Sequence, residues 1–440
     1  MPRSGIAPRI AAALVFFCST AAVAQQRRPV PLREALQLAA KQGPDVIASR
    51  AQAVIAHVGI ERAYTTWKPD ISATGIYDHT SAPQVFDPGK LGLGSSIPRL
   101  SIVAPNSRYG TIQLNQPLLT PQGLFQPWIA KSFAEAADRT ADDAREQVLL
   151  NVARTYLTLQ GLEGLIGAAQ DAERVALRRE QDARALIAAG TAVEINLLRA
   201  QSDTANARAQ IAGLTGQRES LLPLLEALVG EPVAPLPGAQ SGYDWLGEPA
   251  EEAAQPWEQT FAVRSAIEQV RGFDKSVTYD KFLWLPSASG TVRGSYNSNE
   301  GFTGTNTLYD LILTVNVPIY DRGSRYAQKH EDEARLQQAV ATLASTRARA
   351  KSEWEGARAN LIAARAVLEQ ADAQARVAKR AQEQIDVSAR AGVATSLDLQ
   401  VADQQLFQAQ SAAALARANL DISRAAVVAA EGRLYSGLAK

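Results

Sequence analysis

Few side chains in this sequence are spaced for bond-making chemistry. Only three histidines occur in the whole chain. His57 with Glu61 forms a one-turn pair on a helix, and His330-Glu331-Asp332-Glu333 reads as a solvated helix face. Neither supplies the roughly three converging ligands of a catalytic metal site. Gly89-Lys90-Leu91-Gly92-Leu93-Gly94 has the glycines of a phosphate loop. It lacks the strand-to-helix setting and the following Lys-Ser or Lys-Thr, so it reads as an outer loop. No Ser-His-Asp set and no paired carboxylates stand out, so the sequence points away from an enzyme, a metal or a cofactor. What remains is electrostatic. Asp398 follows Thr395 by three residues, the pattern of a capping box. Copies of Asp398 gathered at the mouth of a tube would instead form an acidic ring that selects cations. Asn196 holds the matching place in an earlier turn and makes the weaker case.

These residues sit at the ends of long rods. No proline occurs between Pro127 and Pro223, and Val148, Val152, Tyr156, Leu159, Leu162, Ile166 and Ala169 recur at helical steps of three and four. A helix over 121–189 would be ~100 Å long at ~1.5 Å per residue. It stops at Gly190, where a left-handed cap is expected, and Thr191 with Glu194 predicts a capping box for a helix over 191–229. The same construction returns after Pro318. Trp354, Ala357, Leu361, Ala364, Leu368, Ala371, Ala375 and Ala378 form a second stripe in a helix over 321–391, followed by Gly392 and a helix over 395–435. The chain is thus an internal repeat of roughly two hundred residues, each a rod, a turn and a rod. Repeat 1 spans 25–230, an irregular proline-rich connector 231–256, and repeat 2 257–440. The turn tips, Gly190-Thr191-Ala192-Val193 and Gly392-Val393-Ala394-Thr395, present small and apolar residues, suited to docking a partner hairpin or simply to a tight helix–helix turn.

At the opposite end each repeat changes period. Segments 69–80 and 108–117 in the first repeat, and 286–297 and 307–318 in the second, alternate apolar and polar residues. The clearest is Tyr309, Leu311, Leu313, Val315 and Val317 against Asp310, Thr314 and Asn316. Residues 80–107, rich in Pro, Gly and Ser, read as a long loop. Strands of about ten residues cross a bilayer when tilted. Four cannot close a barrel, and an open edge cannot sit in lipid, so strands that enter a membrane require oligomerisation. Two copies would give a barrel filled by side chains, whereas three would leave room for a channel. Strand geometry favours three or more without choosing three.

Composition narrows the compartment. Lys plus Arg and Asp plus Glu both number 45, and this balance gives no electrostatic reason to expect nucleic acid. No run of about 20 apolar residues offers a transmembrane helix. Arg3 and Arg9, the apolar stretch Ile10 to Phe17 and the small-x-small site Ala22-Val23-Ala24 predict a secretory signal peptide over 1–24. The only cysteine, Cys18, lies inside it. Phe17 stands where a lipoprotein site would need a small residue.

Taken together, Trp67-Lys68-Pro69 and Leu285-Pro286 ahead of the strands resemble the TolC-type outer-membrane efflux protein family. So do Gln116-Pro117-Leu118 and Val317-Pro318-Ile319-Tyr320 after them, and the turns Ala189-Gly190-Thr191 and Ala391 to Asp398. The order and doubled spacing carry the resemblance over nearly the whole mature chain. It implies a mainly α fold with a transmembrane β-barrel contribution. The expected assembly is a homotrimer with a 12-stranded barrel in outer-membrane lipid, a periplasmic helical tunnel and an equatorial belt at 231–256. It also implies a passive exit duct engaging a periplasmic adaptor and an inner-membrane transporter. Family members close the tunnel with acidic rings. Asp398 matches the first such position. The second falls at Val401, with Asp403 nearby. The competing readings are a periplasmic coiled-coil adaptor, which would need one hairpin flanked by β-rich modules, and a structural rod, which would leave the strands unexplained.

Overall fold

The computed structural model describes residues 27–81, 84–86, 92, 100–191, 193–237, 255–298 and 304–438. The signal peptide with Cys18, the glycine-rich segment apart from Gly92, Ala192 and residues 238–254 of the connector lie outside them.

Two long helices dominate: α3 (Pro121–Ala188, 68 residues) and α6 (Ser324–Arg390, 67 residues). Pro121 starts α3 at a position where a missing N–H costs nothing. Shorter helices complete each repeat. In the first, α2 (Pro44–Thr65) and α4 (Glu194–Val229) lie along α3 and meet one another. In the second, α5 (Phe261–Asp280) and α7 (Ser396–Ala430) lie between α3 and α6. Both predicted stripes face their neighbours. Val152, Tyr156, Leu159 and Ala169 of α3 are fully buried, and every member of the Trp354 to Ala378 stripe is buried or half-buried.

The seams are narrow because the residues in them are small. A Cβ placed on Gly161 of α3 would stand 2.9 Å from that of Ala418, and one on Gly164 would stand 3.2 Å from that of Ala414. Ala402, Ala409, Ala413 and Ala416 continue the buried line along α7. Backbones this close gain dispersion contacts along the whole rod, which compensates for the lack of a wide core.

The strands form one antiparallel sheet in the order β2 (Asp70–His79), β5 (Asn106–Leu119), β7 (Ser287–Asn297), β8 (Thr307–Asn316). Its register lines up the alternating sets. Ala73, Ile112, Gly294 and Tyr309 are cross-strand neighbours, as are Ile71, Leu114, Val292 and Leu311. The opposite face carries Ser72, Gln113, Arg293 and Asp310, and Arg293 donates from Nη2 to Asp310 at 3.0 Å. The outer edges, β2 and β8, have no strand partner among the described residues.

A belt forms around the middle of α3. Strand β1 (Arg28–Val30) pairs in parallel with β6 (Val233–Pro235), and α1 (Leu32–Gln42) packs beside them. The Tyr156 hydroxyl donates to Val30 O at 2.8 Å and accepts from Leu236 N at 3.2 Å. Buried Glu146 accepts from Leu434 N and Tyr435 N at 3.1 and 2.9 Å, holding the start of α8 (Leu434–Leu438). Desolvation pushes the Glu146 carboxyl up to about 7.

Several expectations change. The 80–107 loop contains a short hairpin of β3 (Gln84–Phe86) and β4 (Leu100–Val103). The last helix stops at Ala430, and α8 follows as a separate piece. His57 reaches Asp138 of α3 at 2.9 Å rather than pairing along its own helix with Glu61. Asp332 is buried, whereas His330, Glu331 and Glu333 beside it are exposed.

Candidate aperture and docking tip

Both turns stop their long helix in the same way. Gly190 has φ +72° and Gly392 φ +77°, a region that an L side chain adopts only under strain. Gly190 N donates to Ile187 O and Thr191 N to Leu186 O. Gly392 N donates to Ala389 O and Val393 N to Ser388 O. These paired bonds satisfy carbonyls that the helix end would leave open.

The turns restart differently. Thr395 and Asp398 form a reciprocal capping box. Asp398 N donates to Thr395 Oγ1 at 3.2 Å, and Thr395 N donates to Asp398 Oδ2 at 2.9 Å. The Thr395 hydroxyl also donates to Asp398 Oδ2 at 2.7 Å. Hydrogen bonds from the Thr395 side chain and backbone hold the Asp398 carboxyl below its ordinary value, so it is ionised near neutrality. The box expected at Thr191 and Glu194 does not form. Helix α4 begins at Glu194 with Val193 as its N-cap and no side-chain cap, and the Thr191 hydroxyl donates back to Leu186 O at 3.0 Å. The repeat explains this: at the Gly190-to-Gly392 offset, the residue equivalent to Thr395 is Val193.

The tip places the candidate residues together. Ser396 Oγ lies 3.4 Å from Asn196 Oδ1, bringing the turns side by side. Gly190, Thr191, Val193, Gly392, Val393, Thr395 and Asp398 are exposed, while Ala394 and Asn196 are half-buried. Val193 is 63% exposed and Val393 81%, with Ile195 and Leu397 also uncovered, so none of the described residues covers these apolar side chains of the tip.

One turn further along the helices lies a network that periodicity did not reveal. Asp403 of α7 is ion-paired with Arg179 of α3 and accepts from Gln382 Nε2 of α6 at 3.1 Å. Gln400 Nε2 donates to Asp203 Oδ1 of α4 at 2.8 Å. Desolvation raises the Asp203 carboxyl, and the charge of Asp403 adds to the rise. Asp403 therefore faces its own chain's helices. Among the described residues, no group of three or more His, Cys, Asp or Glu is arranged to hold a metal, and no helix is long and apolar enough to cross a membrane.

Residues 35–231 and 257–433 match the family described as "Outer membrane efflux protein". No curated protein matches the chain by sequence. Among solved structures, the chain is similar to the outer membrane protein VceC of Vibrio cholerae, with TM-score 0.72 and 18% identity over 91% of this chain and 96% of that one. It is also similar to the CmeC outer membrane channel of Campylobacter jejuni (TM-score 0.75, 17% identity, 92% and 86% of the two chains). The open MtrE outer membrane channel of Neisseria gonorrhoeae gives TM-score 0.71 at 17% identity over 91% and 88%. At such identities the likeness shows the fold.

Proposed function

This chain belongs to the outer membrane efflux protein family, and we propose from that premise that three copies close one barrel continued by a helical tunnel. The chain is an outer-membrane efflux duct; the family and the similar structures are channels, not enzymes. The observation that carries the assembly is the sheet: apolar rows in register across all four strands on one face, a mainly polar opposite face that also holds Ile76, Leu308 and Ile312, and outer edges with no strand partner among the described residues. In lipid the unpaired N–H and C=O groups of β2 and β8 have no water to bond. Pairing β8 of one copy with β2 of the next satisfies them. Three copies of the four-stranded sheet make twelve strands, wide enough for a lumen lined by the Ser72-to-Asp310 face, with Leu311 and its row against lipid.

The tunnel then ends at the paired turns. The uncovered Val193 and Val393 support docking of a periplasmic adaptor, which couples the duct to an inner-membrane transporter. Cargo passes without chemistry, and the pump supplies the energy. In this reading, three ionised Asp398 carboxylates approach one another at the aperture, with Asn196 alongside. Asp403, engaged by Arg179 and Gln382, ties the helices behind that aperture. Segment 1–24 serves as the export signal. A periplasmic adaptor or a rod would have no use for the two-faced sheet.

The test is the native mass of the protein extracted by detergent from the outer-membrane fraction. A mass of three chains supports the shared barrel. Recovery as a soluble monomer or dimer removes it.

A further inference from the structure

Asp280 is the last residue of α5, and Asp332 lies in the third turn of α6. Both are buried within a single chain, at 4% and 7% exposure. The two carboxyls lie within hydrogen-bonding reach of one another. Neither oxygen of Asp280 receives a hydrogen bond, and the adjacent Tyr279 hydroxyl is likewise buried without a partner. As the terminal residue of α5, Asp280 also meets the negative end of its helix dipole, which disfavours its charge. Ionising both facing carboxylates in such a place is unfavourable, so the pair keeps a proton to a higher pH than a lone carboxyl would.

The charged surroundings decide which acid keeps the proton. Arg335 Nη1 stands 3.6 Å from Asp332 Oδ1 as its ion-pair partner. Around Asp280, Glu333 opposes ionisation and Lys329 favours it, both from α6. From α3, the nearby contact is the Phe125 ring against Tyr279, centroids 5.5 Å apart, which contributes no charge. We infer that Asp280 and Asp332 share one proton, Asp280 donating to the Asp332 carboxylate, and that this acid pair fastens α5 to α6 where they join the sheet. The clasp sits beside the ends of β7 and β8, the hairpin that these two helices feed and receive. Loss of the proton leaves two buried like charges across the α5–α6 contact and loosens it. Desolvation is the largest influence raising the Asp280 carboxyl, to about 6, with Asp332 next, so the clasp is closed in acid and strained once pH rises through about 6.

The test uses the intact protein and two isosteric variants, Asp280→Asn and Asp332→Asn. Infrared spectra at about pH 5 should show one protonated-carboxyl band lost in Asp280→Asn, the same band lost or shifted in Asp332→Asn, and no second band lost in the double variant. Hydrogen exchange at the ends of α5 and α6 is then compared between wild type and variant at equal pH, which cancels the intrinsic rate. Wild type should match Asp280→Asn at low pH, exchange increasingly faster by up to roughly tenfold per pH unit as pH rises from the ordinary carboxyl range to the folded midpoint of about 6, and keep a constant excess above it. If neither substitution alters the carboxyl bands in acid, or each removes its own independent band, there is no shared proton. If exchange in wild type and both variants runs parallel at every pH, the pair does not fasten the helices. Having two variants keeps the test open should one fail to fold.

Discussion

Tyr156→Phe isolates one hydroxyl in the belt. The tyrosine is fully buried, and its oxygen sits between two distant parts of the chain, donating to Val30 O at 2.8 Å and accepting from Leu236 N at 3.2 Å. Phenylalanine keeps the ring and its packing but removes both bonds, leaving a carbonyl and an amide facing an apolar edge. Each net hydrogen bond contributes about 1 kcal/mol, and a stranded buried group costs about 1–3 kcal/mol. Partial relaxation of Leu236, which is less enclosed, brings the expected loss to about 2 kcal/mol. The assay must be local, since a membrane assembly of this size does not unfold in a single reversible step. Hydrogen exchange over 27–37 and 231–237 should quicken by roughly thirtyfold, the factor equivalent to about 2 kcal/mol. Exchange in the α6 and α7 rods should not change. Exchange within twofold of wild type in the belt, in a folded variant, would refute the assignment of this hydroxyl as the tie between chain start and connector.

Other outcomes follow from the same geometry. Asp398→Ala should weaken cation preference or raise single-channel conductance in planar bilayers; unchanged conductance and selectivity would reduce Asp398 to its capping role. Gly161→Leu should wedge α3 from α7, because even a Cβ there meets Ala418 at 2.9 Å; overpacking costs about 1–3 kcal/mol, readable as a lower melting temperature of the detergent-solubilised protein. Ala364→Pro removes a hydrogen bond inside α6 and costs about 3 kcal/mol or more; normal assembly of that variant would count against a continuous rod. Glu146 is raised to about 7, above its unfolded value. Its contribution, about 3 kcal/mol from that displacement, is therefore full in acid and lost as pH rises through about 7. Glu146→Gln should flatten that fall in melts taken across this range, and an unchanged slope would assign the dependence elsewhere.

Much of this architecture was legible because it is periodic. The α3 and α6 stripes, the prolines framing each strand pair and the strand alternation all record a local rule repeated many times. Gly392 with Thr395 and Asp398 was readable for the same reason. Thr191 misled because it stands in a plausible local pattern, whereas repeat equivalence places the cap at Val193. What stayed hidden depends on partners far apart in sequence. The three-residue strands β1 and β6 have too few residues to show a period, and their pairing joins Arg28 to Val233. Glu146 finds α8, and Arg179 finds Asp403, across hundreds of residues. Asp332 looked like one more charge on a wet helix face because burial by α5 leaves no trace in its own neighbours.

The unequal restarts after Gly190 and Gly392 give each tip a mechanical bias. One leg of the pair is a reinforced strut, its first helical turn clamped by the Thr395–Asp398 box. The other begins at Val193 with nothing gripping its first amides from the side. Load applied along the rods by a docked protein would not divide evenly between them. Under such load the α3–α4 corner would yield first, with the α6–α7 corner as its fulcrum.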